Sequence, residues 1–321
     1  MPGNKPNRRK FKRAGKAKKQ AQKRPPLVDR RALERETWEV GRLIRDRQFA
    51  SFDELNAFIQ TAMNGQTPVR TEKATLLDQA QDLMYQAWDS RGKQRVVLAR
   101  RALDLSKDCA DAYVLLAEEG AESINEVRYF YEQGVKAGER ALGEDVFREE
   151  AGHFWGIVET RPYMRARLGL AECLWVLGER QEAIAHYQEL LRLNPNDNQG
   201  VRSRLLSCFL VENLNEHAEA LLKQYDDDSA DWQYSRALLA FRQRARNRFS
   251  VLKKAVAQNP YVPLYLLEVK ELPKRMPKYI GFGDEPEAVD YGVAGLPLWR
   301  ETEGAVEWLA QSLARLAAAA T

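Results

Sequence analysis

The stretch GHFWGIVETRPYMRAR, residues 152–167, packs three aromatic rings, a His, a Pro and three Arg into sixteen residues. Rings bury large apolar areas and guanidinium groups hold carboxylates through paired hydrogen bonds, so the chemistry on offer is non-covalent capture of a partner. In one reading, Phe154, Trp155, Arg161 and Arg165 line the inner, concave face of a helical superhelix as anchors. In the other, Phe154 and Trp155 fill a gap between neighbouring hairpins, Gly156 makes a turn, and the Arg side chains are solvated. Glu172 and Trp175 stand with Arg165 and Leu168 at spacings of three and four, which places all four on one helix face. Asn198, Arg202 and Phe209 make a comparable set on the next helix. These residues are the expected partner-binding surface, and the partner is a protein or peptide. The Lys-Asn-Lys-Arg arrangement of repeats that clamp chaperone C-termini is not matched.

Covalent and metal chemistry is poorly provided for. His153, His186 and His217 are far apart and belong to no H-E-x-x-H or C-x-x-C arrangement. Glu182 and His186 share a helix face, as surface pairs commonly do. Gly281-Phe-Gly283 lacks the strand and the third Gly of a dinucleotide turn, and there is no G-x-S-x-G and no phosphate loop. No catalytic residue, metal or cofactor is expected. Cys109, Cys173 and Cys208 are odd in number and widely spaced within apolar helical patterns, so they read as reduced core thiols in a cytoplasmic protein.

The net charge of +4 hides an asymmetry. Residues 1–24 carry eleven Lys and Arg and no acid, so −7 remains for residues 25–321. The cluster Arg8, Arg9, Lys10, Lys12, Arg13, Lys16, Lys18 and Lys19 could bind RNA or ribosomes by releasing counterions, or simply keep the terminus soluble. With Phe11 as its one aromatic, such binding would be nonspecific and salt-dependent.

These residues need elements to hold them, and the spacing predicts helices throughout. Residues 1–26, nearly devoid of apolar side chains and ending in Pro25-Pro26, are expected to be a disordered tail. A helical segment spans 27–65: apolar residues at helical period over 29–48, then a capping box at Ser51-x-x-Glu54 opening a short helix that Asn64-Gly65 closes. Residues 66–73 read as a linker. Nothing approaches eighteen consecutive apolar residues, and no secretory signal is present, so neither a membrane span nor export is expected.

From 74 to 267 the chain repeats. Leu170-Ala171, Leu174, Gly178, Ala183, Tyr187 and Asn194-Pro195 fall at tetratricopeptide offsets, with Arg167 standing where a Trp is usual. Small residues let paired helices approach, and the Pro stops the second helix. Trp232, Ala255 and Pro260 mark another copy, and about five helical pairs are expected in all. The period breaks once, where about twenty residues at roughly 143–161 are inserted, a length often associated with functional loops. Thr160 and Pro162 look like the cap and first turn of the helix that follows. Residues 268–321 leave the repeat: a Pro- and Lys-rich loop, a capping box at Asp284-x-x-Glu287, then helices at about 285–299 and 303–320 that cover the open apolar edge.

The segments ADAYVLLAEEGAESINEVRYFYEQGVKAGE (110–139), NPNDNQGVRSRLL (194–206), NPYVPLYLLEVKELP (259–273) and GDEPEAVDYGVAGLPLWRETEGAVEWL (283–309) carry a further signal. With them, the chain resembles the suppression-of-tumorigenicity-seven protein family and its soluble bacterial tetratricopeptide-repeat relatives over roughly 74–310. The resemblance implies an all-α repeat fold and a protein-interaction role, with no catalytic residues to carry over. Eukaryotic members are membrane-associated with spanning helices, a setting the resemblance does not carry to this sequence.

The expectation is therefore an all-α, tetratricopeptide-type right-handed superhelix of helical hairpins with a helical C-terminal cap. It would act as a non-catalytic adaptor that holds a peptide or partner protein in its concave groove. The alternative is an RNA- or ribosome-associated factor that uses the basic tail.

Overall fold

Apolar residues at helical spacing, bounded by caps, become helix through most of the described residues. The computed structural model describes residues 30–45, 47–63 and 74–319. The basic tail, the 66–73 linker and the Asn64-Gly65 stop lie outside the described residues. Two helices come first, α1 (Arg30–Ile44) and α2 (Phe52–Met63). Five pairs follow: α3 (Leu76–Asp89) with α4 (Lys93–Leu105), α5 (Ala110–Glu119) with α6 (Ile124–Glu149), α7 (Arg161–Leu177) with α8 (Arg180–Leu193), α9 (Val201–Val211) with α10 (Asn215–Gln224), and α11 (Ala230–Arg242) with α12 (Arg248–Gln258). Then come α13 (Val262–Leu266), α14 (Glu285–Glu301) and α15 (Ala305–Ala318). No strand occurs among the described residues.

Local chemistry explains the boundaries. Thr75 and Asp78 form a reciprocal capping box on α3, and Ser229 caps α11 by accepting from the Trp232 N–H. Ser51 accepts from the Glu54 N–H at 3.2 Å, while Glu54 reaches one residue further back than expected, to the Ala50 N–H at 2.7 Å. Asp284 and Glu287 do the same on α14, where Glu287 accepts from the Gly283 N–H at 2.7 Å. Gly178 ends α7 at φ 84°, a left-handed conformation that costs glycine least.

First helices of successive pairs lie side by side: α3 meets α5, α5 meets α7, and α9 meets α11. Close approach is built in by small residues. A Cβ added at Gly169 of α7 would stand 2.1 Å from the Tyr131 ring of α6. Trp232, Trp299, Tyr163, Tyr234 and Phe154 are the largest fully enclosed side chains.

Two expectations are corrected. The 143–161 insertion is not an irregular loop. Gly143, at φ 73°, kinks α6, which then resumes to Glu149, and two short 3-10 turns (Phe154–Gly156 and Val158–Thr160) carry the chain into α7. A lengthened second helix breaks a residue-counting period as effectively as a loop does. Thr160 does not cap α7 through its side chain either: its hydroxyl donates backwards to the carbonyls of Phe154 and, at 2.8 Å, Ile157, closing the preceding turns. Pro162 does sit in the first turn of α7.

Both C-terminal helices form. α14 packs on α13, α11 and α9, its Trp299 donates to the Tyr291 hydroxyl at 2.9 Å, and Trp308 of α15 stacks on Phe241 of α11 at 4.8 Å.

Candidate partner-binding groove

The Arg-rich stretch that promised a partner anchor is mostly spent inside the molecule. Arg165, in the second turn of α7, donates to Asp111 of α5 through Nε at 2.7 Å and Nη2 at 2.6 Å. The same guanidinium reaches both oxygens of Glu34 on α1, at 3.1 and 2.9 Å. Gln81 of α3 completes the cluster by donating to Asp111 at 2.9 Å. Burial alone would lower the Arg165 pKa, but Asp111 and Glu34 override it and hold the guanidinium above its ordinary value. Arg161 donates to Glu34 at 3.3 Å and to the Trp155 carbonyl at 3.0 Å. One ionic knot therefore ties α1, α3, α5 and α7 together.

Phe154 has no exposed surface and packs on Phe147 and Tyr163, with ring centroids 5.1 and 6.2 Å away. Trp155 is half-buried beneath the Arg161 guanidinium at 5.5 Å. The expectation that these four residues line a groove as anchors is corrected. The carboxylates that claim the two Arg lie 54 to 131 residues away in sequence, beyond any local pattern.

Two further expected residues also fall elsewhere. Asn198 is exposed in the turn before α9 rather than on its face, and Phe209 is buried. Arg202 is a latch within the fold, paired with Asp227 at 2.6 Å and lying over the rings of Tyr225 and Trp232.

Glu172 and Trp175 do line an open groove, of about 710 Å³. Its sides are α7, α9, α11 and α14, and the 268–284 segment overhangs it. Trp175 is fixed by Arg180, whose guanidinium lies 3.9 Å from the ring centre, and Glu172 pairs with Arg204 at 2.8 Å. The apolar wall is exposed: Val176 is 75% accessible, Phe282 81%, and Ile280 and Val293 51% each. Such side chains, gathered in one concavity, are the usual material of a binding surface.

Several acids share the lining with Ser203, Ser207, Ser229 and Arg204. Asp227 is neutralised by Arg202, and Glu287 accepts from the Ala230 N–H, the Asn259 amide and the Gly283 N–H at 2.9, 2.9 and 2.7 Å. Asp231 is different: its Oδ2 is shut off from solvent and has no hydrogen-bond partner. Burial, then Asp290, Asp227 and Glu287, push its carboxyl up to about 6. Burial and Glu287 raise Asp290 as well, with no cation among the causes. Two carboxylates held above their ordinary pKa thus stand beside an apolar wall.

Sequence reasoning missed both. Asp231 looks like any first-turn acid of a helix, and only the fold brings it to Asp290. Ile280 and Phe282, apolar residues in a Gly-flanked loop, were the readable hint.

Cys208 forms part of the groove's wall, and burial pushes that thiol up to about 12, leaving it protonated at neutral pH. Burial raises Cys109 and Cys173 too. Among the described residues, no three His, Cys, Asp or Glu side chains are grouped to hold a metal ion, and no helix is long and apolar enough to cross a membrane.

A family profile described as "ST7 protein" matches residues 49–315. "Suppressor of tumorigenicity 7 protein-like" of Gallus gallus is 32% identical over 254 residues, covering 71% of this chain and 45% of that protein. The Homo sapiens protein of the same description is 30% identical over 253 residues, covering 71% and 44%. "Protein ST7 homolog" of Drosophila melanogaster is 28% identical over 257 residues, covering 71% and 47%. The chain spans less than half the length of these curated relatives.

Proposed function

The chain belongs to the ST7 protein family, and from that premise we propose that it is a non-catalytic scaffold that holds a peptide or partner protein in the groove between α7, α9, α11 and α14. The observation that carries this reading is the concavity itself, where Val176, Val293, Ile280 and Phe282 are left exposed beside Asp231 and Asp290. Exposed apolar side chains gathered in one concavity cost a protein solubility unless something covers them.

The five successive pairs, with first helices side by side and Ala171, Ala183, Tyr187 and Pro195 at repeat offsets, support a tetratricopeptide-type right-handed superhelix whose inner face is this groove. The helices α14 and α15 act as its terminal cap. The three protonated, buried thiols suit a reducing, cytoplasmic setting.

The test compares wild type with Val176→Arg/Val293→Arg and with Lys253→Glu on α12, by co-purification from the native host. The groove variant should lose a discrete partner that wild type and the α12 variant both retain. A partner held equally by all three would remove the groove from the account.

A further inference from the structure

The turn joining α11 to α12 gathers cations that the fold does not pair. Residues 242–248, RQRARNR, place Arg242, Arg244, Arg246 and Arg248 within seven positions. Among the described residues, no carboxylate lies within ion-pair distance of Arg244, Arg246 or Arg248, whereas Arg161, Arg165 and Arg202 are each claimed by one. Arg242, Arg244 and Arg248 line an open concavity of about 510 Å³ together with Asn213, Asn215 and Thr302. Arg248 also lines a neighbouring concavity of about 370 Å³, which it shares with Arg246 and with Arg315 of α15. Neither has a lining residue in common with the groove of the proposed function.

Arg242 is half-buried and has only neutral acceptors: its Nε donates to the Thr302 hydroxyl at 2.9 Å and its Nη1 to the Leu210 carbonyl at 2.7 Å. Burial lowers its pKa, and Tyr291 and Glu301 offset that only in part. Glu301 and Glu303 on the rim are exposed, so five guanidiniums stand with two solvated carboxylates. The amino end of α12 adds to the positive field, because Asn247 makes no side-chain cap and the first turn holds no acid. Guanidinium forks match phosphoryl oxygens, and several forks around one concavity suit a compact, multiply charged group better than a lone carboxylate. The nearby rings are engaged: Trp308 stacks on Phe241 and Trp299, and Arg315 lies over Phe249 at 4.4 Å. Base stacking, the usual hold on single-stranded nucleic acid, is thus poorly served, which favours a ligand recognised through its phosphates alone.

We propose that the α11–α12 turn binds a small ligand carrying at least two phosphoryl groups, one held by Arg242, Arg244 and Arg248 and the next, across Arg248, by Arg246 and Arg315. Arg248 is the shared cation between the two positions. The site is separate from the groove, so it stands or falls independently of the scaffold reading.

The test titrates the full chain with orthophosphate and with inorganic triphosphate at physiological ionic strength. Because the Lys and Arg of residues 5–24 also attract polyanions, occupancy is read locally, as amide-exchange protection in residues 244–252. Triphosphate should protect this segment at about a tenfold lower concentration than orthophosphate, since it engages a second set of forks. Arg244→Gln/Arg248→Gln should abolish protection by both anions. Arg246→Gln/Arg315→Gln should remove the advantage of triphosphate and leave the response to orthophosphate. These side chains donate no hydrogen bond within the fold, so exchange without ligand should match wild type in both variants. Arg100→Gln/Arg101→Gln on α4 removes the same charge elsewhere and should change nothing. Absent protection, protection unmoved by Arg244→Gln/Arg248→Gln, or an equal loss in the α4 variant would overturn the proposal. So would equal potency of the two anions, or single-stranded RNA protecting the segment better than triphosphate at matched phosphate concentration.

Discussion

Arg165 and Asp111 meet through two hydrogen bonds of 2.7 and 2.6 Å, although Asp111 has no exposed surface and lies 54 residues earlier in the chain. Removing one partner of such a pair leaves the other buried and uncompensated. Arg165→Leu is expected to cost about 3–5 kcal/mol in urea denaturation, whereas Asp111→Asn/Arg165→Leu together should cost less than the sum of the two single changes. A single-variant loss below about 1 kcal/mol would mean that the knot is weaker than its geometry indicates.

Glu34 holds α1 to that knot. Glu34→Gln keeps the side chain's size but removes the charge that Arg161 and Arg165 share. Amide exchange in residues 30–44 should accelerate at least tenfold while α11 and α12 stay protected, since local opening follows local contacts. Uniform acceleration across the chain would argue against α1 as a separately released latch.

Phe154 and Trp155 are adjacent but differently placed, and stability should separate them. Phe154→Ala opens a cavity in the core and should cost about 3–5 kcal/mol. Trp155→Ala should cost markedly less, because the ring is part-exposed and Arg161 bonds the backbone carbonyl, which the substitution keeps. Equal costs by calorimetry would contradict this assignment of packing roles.

His186 supplies a pH signature. Burial, then the Arg167 guanidinium, depresses its pKa from 6.5 to about 4. The neutral ring is the folded form's preference, so its contribution is present above pH 6.5 and lost as pH falls through 4. For a ring that is part-exposed and screened by water, the loss is on the order of 1 kcal/mol. Melting temperature followed from pH 7 to 4 should fall more steeply in wild type than in His186→Gln. Parallel curves would remove His186 from the acid response.

Much of the fold was legible in local pattern. The boundaries of α7 and α8 follow from Pro162, Gly178 and Pro195, and the C-terminal helices from Asp284 and two Trp residues, because caps and periodicity are properties of neighbouring residues. The site was legible only in part. Helix spacing puts Glu172 and Trp175 on one face of α7, and both line the groove, but Arg161, Arg165 and Arg202 carry nothing in sequence to reveal that Glu34, Asp111 and Asp227 already satisfy them. Charge pairing across 25 to 131 residues is set by packing alone. Asp231 and Asp290 were missed because the burial and neighbouring acids that raise their carboxyls are assembled only by the fold.

The central claim is that partner contact occurs in the groove between α7, α9, α11 and α14, and site-specific photo-cross-linking in the native host tests it most directly. A benzophenone residue at position 176 or 293 should give one discrete adduct with another protein, and the same residue at position 253 on α12 should give none. An adduct that forms from position 253 and not from 176 or 293 would contradict the account.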